Sequence, residues 1–81
     1  MTENQVQEFI LAEVRHILGD DHVAPGTKLL ERFDELDLSD FVMGLEDEFS
    51  TTFGEEFYNK ETCPCAPPRE FKDYVMENAD V

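Results

Sequence analysis

In the segment DELDLSDFVMGLEDEF, residues 34–49, apolar and acidic residues recur at helical spacing. At 3.6 residues per turn, Leu38, Phe41, Leu45 and Phe49 fall on one side, with Val42 at its margin. Asp34 is a candidate N-cap, and Asp37 three residues later completes a variant of the capping box. The pattern predicts an amphipathic helix from about Glu35 to Ser50, with its apolar side on the core.

Leu36 and Met43 lie on the opposite side of this helix, roughly 180° from the core face, so the same packing cannot bury them. Acidic residues surround them, and an apolar strip inside an acidic rim is typical of a docking surface. The predicted docking residues are Asp34, Glu35, Leu36, Asp37, Asp40, Met43, Glu46 and Asp47. The alternative is that this is an ordinary solvated face, because acidic runs and single exposed apolar residues are common.

Three further segments have helical character. Residues 4–18 carry an apolar stripe that Gly19 ends, and residues 55–60, EEFYNK, fit a short helix of one or two turns. Pro68 can begin a last helix through REFKDYVMEN, whose buried side is expected to hold Phe71, Tyr74 and Val75. We therefore predict a single all-α domain over residues 1–81, a bundle of three main helices plus one short helix.

The chain is strongly acidic, with 20 Asp and Glu against 6 Lys and Arg and a net charge of −14. Between Glu31 and Ser50 there are eight acids and one base, so half of the net charge falls in a quarter of the chain. This field repels nucleic acid and anionic membranes and attracts basic protein surfaces. We expect a basic protein partner, no nucleic acid or membrane partner, and a monomer.

The same acidity leaves another function open, mimicry of nucleic acid by an inhibitor of a nucleic-acid-binding protein. Such a mimic would need charges spread along an elongated surface, whereas here they surround Leu36 and Met43. The N-terminus, MTENQVQEF, lacks the cationic start and apolar block of a secretory signal, and no apolar run could span a bilayer. A cytoplasmic location is the default expectation.

Cysteine and histidine offer little chemistry. Cys63 and Cys65 are separated only by Pro64, a spacing too tight for an easy disulfide, so free thiols are expected. His16 and His22 are remote in sequence and complete no zinc motif. The acids around residues 34–46 do not have the spacing of a calcium loop. With no nucleophile-base motif and no phosphate-binding glycine loop, we expect neither a metal site nor enzymatic catalysis.

Residues 34–49 resemble the second helix of the acyl carrier protein family, in which an Asp-Ser-Leu-Asp motif precedes an acidic amphipathic helix containing Val-Met, then Leu-Glu and an acid-acid-Phe ending. The similarity covers nearly the whole chain, since it extends to the LG that ends the first helix, to a P-x-T-x-L-x-E loop (Pro25, Thr27, Leu29, Glu31) and to DYV at residues 73–75. It implies a four-helix carrier fold, a role near lipid or polyketide biosynthesis, and docking of the second helix on basic patches of carrier-protein-dependent enzymes.

One residue departs from the family pattern in a way that decides the chemistry. The family's serine, which carries phosphopantetheine through a phosphodiester, corresponds to Glu35. A phosphorylated carboxylate would be a mixed anhydride that water cleaves, so no cofactor is expected there. The loop before Asp34 also lacks the usual glycine and small residue. The alternative is a working carrier modified at Ser39, one turn further on, where a serine usually bonds only a carbonyl or water.

The resemblance also raises the question of an acyl-chain cavity. Six phenylalanines are available to fill the space between the helices: Phe33, Phe41, Phe49, Phe53, Phe57 and Phe71. We predict a filled interior without a ligand tunnel.

Overall fold

The computed structural model describes residues 1–79 and confirms the all-α class. Three α-helices form the frame: α1 (Glu3–Leu18), α2 (Glu35–Phe49) and α3 (Pro68–Asn78). Two short 3₁₀ helices, η1 (Leu29–Glu31) and η2 (Glu55–Tyr58), lie in the connections. No strand occurs within residues 1–79. The short helix predicted over residues 55–60 is present as the single 3₁₀ turn η2.

Both ends of α1 are fixed by local signals. Thr2 is the N-cap of a capping box, in which the Gln5 amide donates to Thr2 Oγ1 at 3.2 Å and the Thr2 amide donates to Gln5 Oε1 at 2.9 Å. This pair starts the helix at Glu3, one residue earlier than predicted. Gly19 ends it in the left-handed region at φ 63°, where glycine carries no Cβ penalty.

The predicted N-cap of α2 is confirmed. The Asp37 amide donates to Asp34 Oδ1 at 2.7 Å, and the Asp34 amide donates to Asp37 Oδ2 at 3.3 Å. Acidic groups at this end also stabilise the helix, because the N-terminus is the positive end of the helix dipole. At the other end, Ser50 adopts φ 50° and closes the helix after Phe49.

A single core gathers apolar side chains from all three α-helices and from the connections. The predicted core face of α2 is confirmed, because all five of its apolar residues are buried. The ring of Phe41 contacts the rings of Phe33 and Phe71 at centroid separations of 5.5 and 5.0 Å. Such aromatic pairs add specific geometry to their burial. All six phenylalanines expected inside are buried, while the absence of a ligand tunnel remains a prediction.

Contacts between distant segments tie α3 to α1 and to the loop before α2. The Leu29 amide donates to the Ala66 carbonyl and the Arg69 amide to the Pro25 carbonyl, each at 3.1 Å, so the loop before α2 is tied to the start of α3. Lys72 Nζ joins α3 to the first turn of α1 through Glu3 Oε1 at 2.7 Å. The side of α2 opposite the core is left facing solvent. Within residues 1–79, no helix has both the length and the apolar character that crossing a membrane requires.

Candidate functional site

The outward side of α2 carries two exposed apolar residues with acids between and beyond them. Leu36 is 76% exposed and Met43 is 54% exposed. They are two helical turns apart, which places them about 10 Å from each other along the axis. Asp40 and Asp47 are exposed and fall within about 60° of Met43 around the helix. We call these four residues the outward stripe.

Three more of the predicted residues lie at the N-terminal end of the stripe. Asp34 and Asp37 each use one carboxylate oxygen in the reciprocal cap, and Asp37 is half-buried. Glu35 is exposed and occupies the first helical position, where it can extend the acidic rim. The cap therefore holds two carboxylates in fixed positions beside Leu36.

Glu46 departs from the sequence-based prediction that it faces a partner. It is half-buried, and its carboxylate turns toward η2 and the segment just before it. Its Oε2 accepts from the amide of Phe53 in that segment at 2.7 Å, and its Oε1 accepts from the hydroxyl of Tyr58 at the end of η2. Its main-chain carbonyl accepts from the amides of Ser50 and Thr51. Both carboxylate oxygens thus serve the fold, and Glu46 is an anchor between α2 and η2.

The hydrogen bond to Glu46 also affects the ionisation of Tyr58. Burial, followed by its hydrogen bond to Glu46, raises the pKa of Tyr58 to about 12. The neutral phenol is favoured because ionisation would place a phenolate against the Glu46 carboxylate. The ring of Tyr58 also lies among the partly buried side chains that cover the core. The bond therefore links the side of α2 facing η2 to the aromatic interior.

Helix α1 contributes an acid that sequence reasoning missed. Glu13 Oε2 lies 3.1 Å from the point where a Cβ atom of Gly44 would stand. The carboxylate of Glu13 therefore rests on α2, at the one position of that helix without a side chain. A glycine in the middle of a helix was the available signal, because such a glycine often marks a close approach.

The carboxylates of α2 form no ion pair within the described residues. Each ion pair formed within residues 1–79 involves Arg32 or Lys72, and neither is paired with an α2 residue. Arg32, the one base near the start of α2, bonds Asp20 at 2.8 Å. The Asp20 pKa is lowered, first by the His22 amide and then by Arg32. The negative charge of the outward stripe therefore faces solvent.

The remaining candidate groups have structural surroundings. Ser39 is half-buried within α2. Cys63 and Cys65 are free thiols, and Cys63 Sγ donates to the Cys65 carbonyl at 3.3 Å. Burial raises the pKa of both thiols, that of Cys65 to about 12, which disfavours the reactive thiolate. Within residues 1–79, no three His, Cys, Asp or Glu side chains are placed to hold a metal ion.

The outward side of α2 thus presents carboxylates around two exposed apolar side chains. Comparison with protein-family models, curated proteins and solved structures gives no match to this chain.

Proposed function

We propose that this protein is a docking module that binds a basic protein surface through the outward side of α2, and that it does so without a phosphopantetheine arm. The observation that carries the proposal is the exposure of Leu36 and Met43 on one face with Asp40 and Asp47. Apolar contact would supply most of the affinity, while the carboxylates would steer a basic partner and fix its register. By resemblance, that partner is a carrier-protein-dependent enzyme.

The absence of an arm is proposed from Glu35. Its position, directly after the N-cap and at the start of α2, corresponds to that of the family's modified serine. A carboxylate there supplies a permanent negative charge but no hydroxyl for attack on coenzyme A. In this proposal the protein occupies the docking site of a partner and delivers no substrate to it.

Modification is tested by incubating the protein with coenzyme A and a permissive phosphopantetheinyl transferase, followed by intact mass measurement. We expect no added mass on the wild-type chain and an added arm on Glu35→Ser, which would locate the position. An arm on the wild-type chain, mapped to Ser39, would instead make the protein a functional carrier.

Docking is tested by capturing partners from the native cell extract and repeating the capture with variants. Met43→Ser and the pair Asp40→Lys with Asp47→Lys should abolish capture, since they remove the apolar contact and reverse the charge of the stripe. Met76→Ser is the matched control, because Met76 is 36% exposed but lies on α3. Equal loss with Met43→Ser and Met76→Ser, or capture that survives the charge reversal, would contradict docking through α2.

A further inference from the structure

The two flanks of the outward stripe differ, and the difference bears on how a partner would lie. Gly44 and Glu46 are about 160° apart around α2, on either side of the stripe, so they mark its opposite flanks. On the Glu46 flank, the carboxylate is already bonded to Phe53 and Tyr58. On the Gly44 flank, the carboxylate of Glu13 reaches across from α1.

We infer that the partner docks across α2 toward α1, with a cationic side chain of the partner, best an arginine, placed between Glu13 on α1 and the stripe acids Asp40 and Asp47. This inference rests on the proposed function and specifies the orientation and charge of the partner. The planar guanidinium suits the site, because it can contact carboxylates on two helices with several donors at once.

The geometry around Gly44 supports this orientation. Asp40 and Asp47 are its i−4 and i+3 neighbours, so both lie next to it on the helix surface. A Cβ at position 44 would lie only 3.1 Å from Glu13 Oε2, so even alanine would require the Glu13 carboxylate to shift by a few tenths of an ångström. Glycine therefore lets a carboxylate from the neighbouring helix join the two carboxylates of α2.

Charge complementarity favours this flank over the other. Glu13, Asp40 and Asp47 form no ion pair within the described part of the chain. Glu46 has no carboxylate oxygen left without a donor, so a cation on its flank would have to compete with an existing amide and hydroxyl. Glu55 and Glu56 are exposed on η2, so a test must distinguish binding of the cationic side chain there from binding beside Glu13.

The test uses a defined probe, a synthetic amphipathic helical peptide with leucines and arginines along one face. A second peptide replaces each arginine by citrulline, which has the same shape without the charge. Amide spectra of ¹⁵N-labelled protein are recorded during titration at about 150 mM salt, where the Debye length is about 8 Å and long-range effects of net charge are small. We expect the arginine peptide to shift the amides of the stripe and of Glu13.

Three single-charge variants are compared with the wild type. Glu13→Gln should weaken binding of the arginine peptide about two- to fivefold, the usual range for one exposed ion pair. Glu8→Gln is the matched control, since Glu8 is exposed on α1 but about 140° from Glu13 around that helix. Glu55→Gln reports on the η2 flank. Both controls should change affinity by less than about twofold, as expected for charges outside the contact.

The results separate this inference from the proposed function. Shifts at Leu36 and Met43 with no effect of Glu13→Gln beyond that of Glu8→Gln would overturn the orientation and leave docking through α2 intact. A larger loss of peptide affinity with Glu55→Gln than with Glu13→Gln would place the partner on η2 and would also overturn the orientation toward α1. If neither peptide shifts the amides of Leu36 and Met43, both the orientation and the docking proposal fail.

Discussion

The outward stripe and the junction between α2 and η2 use the same side-chain chemistry for different ends. In the stripe, the carboxylates of Asp40 and Asp47 face solvent beside two exposed apolar residues. At the junction, the carboxylate of Glu46 accepts from a main-chain amide and a tyrosine hydroxyl. Adjacent acids on one helix can therefore belong to the surface or to the fold, and only the position of the next element decides which.

Replacing Glu46 should give the largest change in stability. Glu46→Ala leaves the Phe53 amide and the Tyr58 hydroxyl without their acceptor, and we expect the free energy of unfolding to fall by about 2–3 kcal/mol. Urea denaturation measures it. Asp47→Ala removes an adjacent exposed acid and should change stability by no more than about 0.5 kcal/mol. Equal effects of the two variants would remove the distinction between junction and stripe.

Tyr58→Phe removes one hydrogen bond of the junction while keeping the aromatic ring. The aromatic packing is preserved, so the expected loss of unfolding free energy is about 1–2 kcal/mol. The amide of Phe53 would keep its hydrogen bond to Glu46 Oε2. The double variant Glu46→Ala with Tyr58→Phe should lose less unfolding free energy than the sum of the two single losses, because both changes remove the same hydrogen bond between Tyr58 and Glu46. Additive losses would show that Tyr58 and Glu46 act independently.

Alkaline pH should weaken the junction gradually. Folding raises the pKa of Tyr58 from 10 to about 12, so its contribution is complete below pH 10 and is lost as the pH rises toward 12. At pH 10 only a small part of the Tyr58 contribution to the free energy of unfolding should be lost. Urea denaturation of the wild type and Tyr58→Phe at pH 8, 10 and 11 isolates this group, and the gap between the two proteins should narrow with pH. A constant gap would contradict the assignment.

Gly44→Ala should give the smallest change, in the stabilising direction. Alanine in a helix interior is favoured over glycine by about 0.5–1 kcal/mol. The new methyl would displace the flexible end of Glu13 by a few tenths of an ångström, which the half-buried side chain can accommodate. Thermal denaturation should show a higher midpoint, and Glu13→Gln with Gly44→Ala should be no less stable than Gly44→Ala alone. Destabilisation would mean that Glu13 is held rigidly on α2.

Much of α2 could be predicted because its signals are local. Asp34 and Asp37 are three residues apart, and the spacing of its apolar residues alone separates buried Leu38 from exposed Leu36. The capping box of Thr2 and Gln5 was equally readable and was missed. These features need only helical geometry, so the sequence specifies them without knowledge of the tertiary structure.

The roles of Glu46 and Glu13 could not be predicted in the same way. On the helix surface Glu46 lies about 60° from Met43, a position equally suited to solvent or to a neighbour. Its partners are 7 and 12 residues away, so their approach depends on how the chain folds back after Ser50. Glu13 reaches Gly44 only because α1 packs beside α2. Both depend on contacts between elements, which no local pattern encodes.

The packing of the first helix has a consequence for the order in which the chain can fold during synthesis. α1 packs more extensively against α3 than against α2, and Lys72 closes the last helix onto Glu3. The apolar stripe of α1 thus remains largely uncovered until the final helix has left the ribosomal exit tunnel. A nascent chain that has exposed α1 and α2 but not α3 should stay sensitive to protease, and resistance should appear once α3 has emerged.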